Sequence, residues 1–182
     1  DGSPHRWFGD KKHCLIAMID DATSEVHAEF FPSETTVGCL KVMRDCIEMK
    51  GLFKTLYVDR ADIFGGPKRC NFSQMHRACD ELGIEIIFAN SPQGKGRIER
   101  AFDTFQDRLV PELRLNNIKD IASANAYLKH VFIPQFWQTQ IQVKSRHRVS
   151  EFTPLAEHTN LDDICVIKDH RKIRNDHTFS YG

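Results

Sequence analysis

Two stretches decide how this chain reads: Leu56 to Phe64, LYVDRADIF, and Gly83 to Leu109, GIEIIFANSPQGKGRIERAFDTFQDRL. In the first, the apolar run Leu56 to Val58 ends on Asp59, the pattern of a buried strand that delivers a carboxylate at its carboxyl end. In the second, Ile84 to Ala89 is another short strand. The loop Asn90 to Gly96 then leads into a long helix whose Ile98, Ala101, Phe102, Phe105 and Leu109 form one apolar stripe. Glu99, Asp103 and Gln106 lie on a neighbouring face, and Glu99 stands in the first turns, forty positions after Asp59.

Working outward, Cys14 to Asp20 is an apolar run of strand length, followed by turn-forming Asp21 to Ser24. Glu25 to Phe31 alternates polar and apolar residues, so the two runs read as a β-hairpin. Ser33 and Glu34 open a helix of about four turns, carried by Val37, Leu40, Val42, Met43, Cys46, Ile47 and Met49 and ending at Gly51. Phe72 to Leu82 is a second helix stopped by Gly83, and Ala122 to Trp137 a further one that Pro134 kinks or ends. At the start, Gly2, Ser3 and Pro4 break regular structure after a strand lying mostly upstream, so Asp1 sits at the end of an inferred central strand. This order of elements implies an α/β fold with a mixed five-stranded sheet: an antiparallel hairpin extended by parallel strands and covered by helices. Residues 1–140 form this core and 141–160 a largely polar linker; 161–182 begin a small β unit with strands at Ile164 to Ile167 and His177 to Tyr181.

Hydrophobic residues make up 41% and charged residues 27% of the 182, and no apolar run approaches the ~18 residues a membrane-spanning helix needs, which argues against a membrane protein. The first residues show no targeting signal, and the chain reads as a cytoplasmic excerpt of a longer protein. Six scattered cysteines, without a Cys-x-x-Cys pair, read as reduced core thiols; Cys70, His76 and Cys79 lack a fourth zinc ligand at useful spacing. The net charge of zero offers no general attraction to nucleic acid, although basic residues collect at Lys95, Arg97 and Arg100, at Lys144, Arg146 and Arg148, and at Lys168, Arg171, Lys172 and Arg174. Each such group taken alone is better read as a solvated face.

Asp1, Asp59 and Glu99 offer carboxylates on two strand ends and a helix that begins beside them. Phosphoryl transfer needs that kind of arrangement, because two divalent ions about 3.5–4 Å apart must be held by a few hard oxygen ligands. Singly, an Asp at a strand end is more often a turn former and a Glu in a first helical turn a partner of the helix dipole.

From Asp1 to about Trp137 the sequence resembles the integrase-core superfamily of DDE transposases and retroviral integrases. LYVDRADIF looks like the family's second-aspartate strand, and Pro92, Gln93, Gly96 and Glu99 match its Pro-Gln-x-x-Gly-x-x-Glu signature. Ile16 to Thr35 resembles its second and third strands. The opening DGSPH is similar to the start of the core in bacterial insertion-sequence transposases, whose C-terminal β-barrel would correspond to Leu161 onward. The resemblance implies an RNase H-like fold, two Mg²⁺ or Mn²⁺ ions held by Asp1, Asp59 and Glu99, and attack of water or a DNA 3′-hydroxyl on a phosphodiester. It also implies transposon ends and target DNA as partners, a homodimer or higher oligomer on DNA, and DNA contacts from Gln93, Lys95, Arg97 and Arg100. Asp20 competes for the first acid; Asp1 is preferred because Asp20 precedes a turn-forming stretch and lies too late in the hairpin. Two other readings are an RNase H-like nuclease that does not join strands and a non-catalytic DNA-binding remnant of a decayed element.

Overall fold

A computed structural model describes residues 1–58, 73–88, 96–146 and 149–169, together with residues 173, 175, 177 and 178. Its first three strands, β1 (Gly2–His5), β2 (His13–Ile19) and β3 (Val26–Phe31), form an antiparallel sheet in the order β1-β2-β3. The register pairs Ser3 with Leu15 across β1 and β2, and Cys14 with Phe31 through Ile19 with Val26 across the hairpin. Helix α1 (Thr36–Lys50) follows, then β4 (Thr55–Val58), α2 (Gln74–Leu82) and β5 (Glu85–Phe88). Strands β4 and β5 run parallel, with Val58 opposite Phe88. Helix α3 (Gly96–Leu115) is the longest element; α4 (Ile121–Tyr127) leads into a π-helical segment Leu128–Ile141, and α5 (Leu161–Ile164) closes the order.

Alternation along β2 sorts the core into two layers. Leu15 and Ala17 join Val26, Ala28 and Phe30 of β3 against Phe102, Phe105 and Leu109 of α3. Cys14 and Ile16 point the other way, against Leu40, Met43 and Ile47 of α1 and Met75 and Cys79 of α2. Side chains of period two on the strand thus clamp the sheet between helices on both faces.

The helix ends follow local chemistry. Thr35, rather than Ser33, caps α1 by accepting from the Gly38 amide, and Ser73 caps α2 by accepting from His76. Gly51 and Gly83 stop these helices at φ of 95° and 71°, a region that suits glycine because it has no Cβ. A Cβ on Gly51 would also meet the Thr153 carbonyl oxygen at 2.4 Å.

Four expectations from sequence are corrected. Gly2, Ser3 and Pro4 do not break structure but form β1; Pro4, which has no amide to donate, is tolerated because β2 is the strand's one partner among the described residues. The described strands make a three-stranded sheet, β1-β2-β3, and a two-stranded one, β4-β5, rather than one continuous five-stranded sheet, because among the described residues β1 pairs with β2 alone and β4 with β5 alone. The helical stretch expected to reach Trp137 runs on to Ile141, with Pro134 inside it rather than at its end. Ile164 to Ile167 is not a strand: Asn160 caps α5, whose first turn carries Asp162 and Asp163, so local capping favours a helical turn there.

The residues around α5 pack on the core. Leu161 is buried with α1 and α2, and Leu52 pairs with Thr153. Gln74 exchanges two hydrogen bonds with the Lys168 backbone, at 2.6 and 3.0 Å. Of the second proposed C-terminal strand, only His177 and Thr178 lie within the described residues.

Candidate active site

Asp1 extends β1 by one position. Its amine donates to the Ala17 carbonyl at 3.0 Å, and the Ala17 amide donates to the Asp1 carbonyl at 2.9 Å. Residues directly opposite on antiparallel strands share a face. Asp1 opposite Ala17 and Ser3 opposite Leu15 therefore belong to the α3 side of the sheet. The Asp1 carboxylate accepts the Gly2 amide at 3.0 Å.

Ser3 is 7% exposed, the one buried polar residue among those described. Its carbonyl accepts from the Trp7 indole at 3.0 Å, and its hydroxyl accepts from Gln106 Nε2 on α3 at 3.1 Å. Glu99 is on the same helix, exposed, seven positions before Gln106. Seven residues turn a helix through about two revolutions, so Glu99 and Gln106 share a face.

Asp59, like Gln93 and Lys95, lies outside the described residues. Strand β4 ends at buried Val58, the preceding residue, and Val58 lines a cleft of about 510 Å³ together with Asp1, Ala17, Met18 and Ile98. Among the described residues no three metal-ligating side chains cluster.

Asp20 is engaged in its own turn. One carboxylate oxygen accepts the Ala22 amide at 3.0 Å and the other the Thr23 hydroxyl at 2.6 Å. Ser24 in that turn accepts the Trp137 indole through its carbonyl at 2.8 Å, and the Thr23 carbonyl accepts the Val143 amide at 2.8 Å. Arg97 joins the same turn, with Nε 2.5 Å from Asp21, while exposed Arg100 follows it on α3.

Burial also acts on other titratable groups of the core. Burial lowers the pKa of His27 from its ordinary 6.5, against the opposing charge of Glu25. Burial pushes the thiols of Cys14, Cys46 and Cys79 up to about 12 and that of Cys39 to about 11. Cys79 Sγ lies 3.9 Å from Met43 Sδ, and His76 sits 3.5 Å from Asp80. Cys70 lies outside the described residues. Reading the acids one at a time missed the Ser3 and Gln106 link, although its signal was present: Ser3 is two places from Asp1, and Gln106 is seven from Glu99.

No family model matches the chain. The chain is 33% identical over 192 residues to the protein named "Putative transposase y4bF" of Sinorhizobium fredii, an alignment covering 100% of this chain and 41% of that protein. It is 30% identical over 169 residues to the transposase for insertion sequence IS1202 of Streptococcus pneumoniae, covering 88% of this chain and 36% of that one. The chain thus spans about two fifths of the length of these relatives. In fold it is similar to a chain of the simian T-cell lymphotropic virus intasome, with a TM-score of 0.61 and 15% identity over 100% of this chain and 65% of that one. The HTLV-2 integrase catalytic core domain, a trimeric form in complex with magnesium, gives a TM-score of 0.57 and 16% identity over 73% of this chain and 80% of that one. No helix among the described residues is long and apolar enough to cross a membrane. The chain is thus similar in sequence to bacterial transposases and in fold to retroviral integrase catalytic cores, findings that together support an integrase-like transposase.

Proposed function

We propose that this chain carries the catalytic core of a DDE transposase, cleaving DNA 3′ ends and transferring them to target DNA with Asp1, Asp59 and Glu99 as the three acids. The observation that carries the reading is the position of Asp1. It lies on the face of β1 that Ser3 ties to α3, and Glu99 is on the matching face of that helix. The donor set is suitable for hard divalent cations, since all three residues offer carboxylate oxygens. Bound there, two Mg²⁺ or Mn²⁺ ions would supply Lewis-acid stabilisation of the attacking and leaving oxygens. The protein's part is to fix the acids on rigid elements: Asp1 through paired backbone bonds to Ala17, Glu99 through a helix whose Phe102, Phe105 and Leu109 are buried.

In this reading residues 1–140 form the core, 141–160 connect it to a C-terminal unit from 161, and the working form is a dimer or higher oligomer on transposon ends and target DNA. Gln93, Lys95, Arg97 and Arg100 approach the DNA backbone. Arg97 is poised for it: its exposed partner Asp21 holds it weakly, and a phosphate competes for the same guanidinium.

The test is a metal-dependent cleavage and joining assay with the full-length protein and its element ends. Glu99→Gln and Asp59→Asn should each abolish both products while leaving the circular dichroism spectrum unchanged, because each removes an anionic ligand without changing shape. Joining at the wild-type level by either variant removes that acid from the site. Cleavage without joining would make the protein a nuclease.

A further inference from the structure

The Ser3 hydroxyl and the Gln106 amide, 103 positions apart in sequence, meet at 3.1 Å in the layer between β1 and α3. Neither belongs to the proposed acid set. Two periodicities give their meeting a consequence. Asp1 and Ser3 are two apart on a strand, so they share a face about 7 Å apart. Glu99 and Gln106 are seven apart on a helix, so they share a face about 10 Å apart. Beyond the meeting of Ser3 with Gln106, Asp1 and Ile98, the residue before Glu99, line one cleft, so the Asp1 end of β1 lies toward the start of α3.

Both ends of the contact between Ser3 and Gln106 are held firmly. Ser3 is 7% exposed and its carbonyl is taken by the indole of Trp7, which is fully buried. Gln106 follows Phe105, which is also fully buried and stacks on Trp137 with ring centroids 4.5 Å apart. A half-buried polar contact at the margin of the apolar layer thus ties α3 to β1. A sliding or rolling helix would break it, and the buried Ser3 hydroxyl would lose its partner.

We infer that Ser3 and Gln106 are positioning residues for metal binding: their hydrogen bond sets the separation of the Asp1 and Glu99 carboxylates and so the affinity of the site for divalent cations. The inference rests on the reading of Asp1, Asp59 and Glu99 as metal-binding acids. Groups that orient ligands without touching the ion typically alter affinity 10–100-fold when removed.

The experiment titrates Mn²⁺ into the full-length protein without DNA and follows the free ion by electron paramagnetic resonance. Gln106→Met keeps the length and helix preference of a half-buried residue, and Ser3→Ala removes the other half of the contact. Each should weaken acid-dependent Mn²⁺ binding about tenfold or more, and the double variant should be no worse than the poorer single, because one contact is lost in all three. Folding is checked on the same samples by near-ultraviolet circular dichroism. Mn²⁺ binding lost in Asp1→Asn and Glu99→Gln but of wild-type strength in folded Gln106→Met would overturn the inference and leave the acids standing. Binding insensitive to Asp1→Asn and Glu99→Gln would overturn both. If Ser3→Ala fails to fold, Gln106→Met decides alone.

Discussion

Asn125 of α4 clamps Phe30 of β3 with both atoms of its amide: its oxygen accepts the Phe30 amide at 2.7 Å and its nitrogen donates to the Phe30 carbonyl at 3.1 Å. Strand β3 stands at the end of the order β1-β2-β3, so these are backbone groups that no neighbouring strand pairs among the described residues. A side chain here does the work of a further strand and covers an edge that would otherwise invite association.

Replacing this clamp should cost stability without touching the acids. Asn125→Ala removes both bonds from a half-buried backbone, and a loss of about 1–3 kcal/mol is expected in urea unfolding. A loss below about 0.5 kcal/mol would mean that water satisfies Phe30 equally well.

Asp1 and Asp20 should separate cleanly on mutation. Asp20→Ala removes the acceptors for the Ala22 amide and the Thr23 hydroxyl, and should cost about 1–2 kcal/mol of stability while metal-dependent cleavage by the full-length protein persists. Asp1→Asn should do the reverse, abolishing cleavage with little change in unfolding midpoint. An inactive but stable Asp20→Ala would return the first-acid role to Asp20.

The buried thiols should be inert in the folded chain. With pKa values of about 12 at Cys14, Cys46 and Cys79 and about 11 at Cys39, the thiolate fraction at pH 8 is about one in a thousand or less. Brief iodoacetamide treatment at pH 8, followed by peptide mass mapping, should leave these four unmodified in the native protein and alkylate them in guanidinium. Rapid native labelling of any one would show that its surroundings open readily.

His27 should make stability depend on pH in a known direction. Burial lowers its pKa in the folded protein below 6.5, so between the folded and unfolded values the unfolded chain binds more protons. Its contribution is present above about pH 6.5 and is lost as the pH falls below that value. The groups around it are Glu25, Lys50 and Asp45. Urea midpoints at pH 7.5 and 5.5 should differ less in His27→Gln than in the wild type; an equal difference would assign the dependence to other groups.

Much of this protein was legible because the signals are local. The hairpin appears within a residue or two of its expected ends, since an apolar run and an alternating run flank turn-forming Asp21 to Ser24. Helix α1 stops at Gly51 and α2 at Gly83, where positive φ favours glycine, and the stripe from Ile98 to Leu109 faces the core as its spacing predicts. The choice of Asp1, Asp59 and Glu99 came from the resemblance of LYVDRADIF and the Pro92-to-Glu99 motif to the integrase core, and Asp59 lies outside the described residues.

Other features depend on partners far along the chain. Gly2 to Pro4 looks like a breaker in isolation and becomes a strand because β2 supplies its hydrogen bonds. The short apolar run from Ile164 suits a strand or a helical turn equally, and Asn160 capping together with burial of Leu161 against α1 and α2 decides for the turn. Arg97 reads as a free cation until Asp21 is folded against it. Ser3 and Gln106 become one feature only when 103 positions of chain bring β1 under α3. Local sequence determines which elements form and where they stop, because backbone capping and side-chain period act over a few residues. Which side chains share a layer, and which polar groups meet across it, is decided by packing, because that energy exists only once the sheet and α3 exclude water from between them.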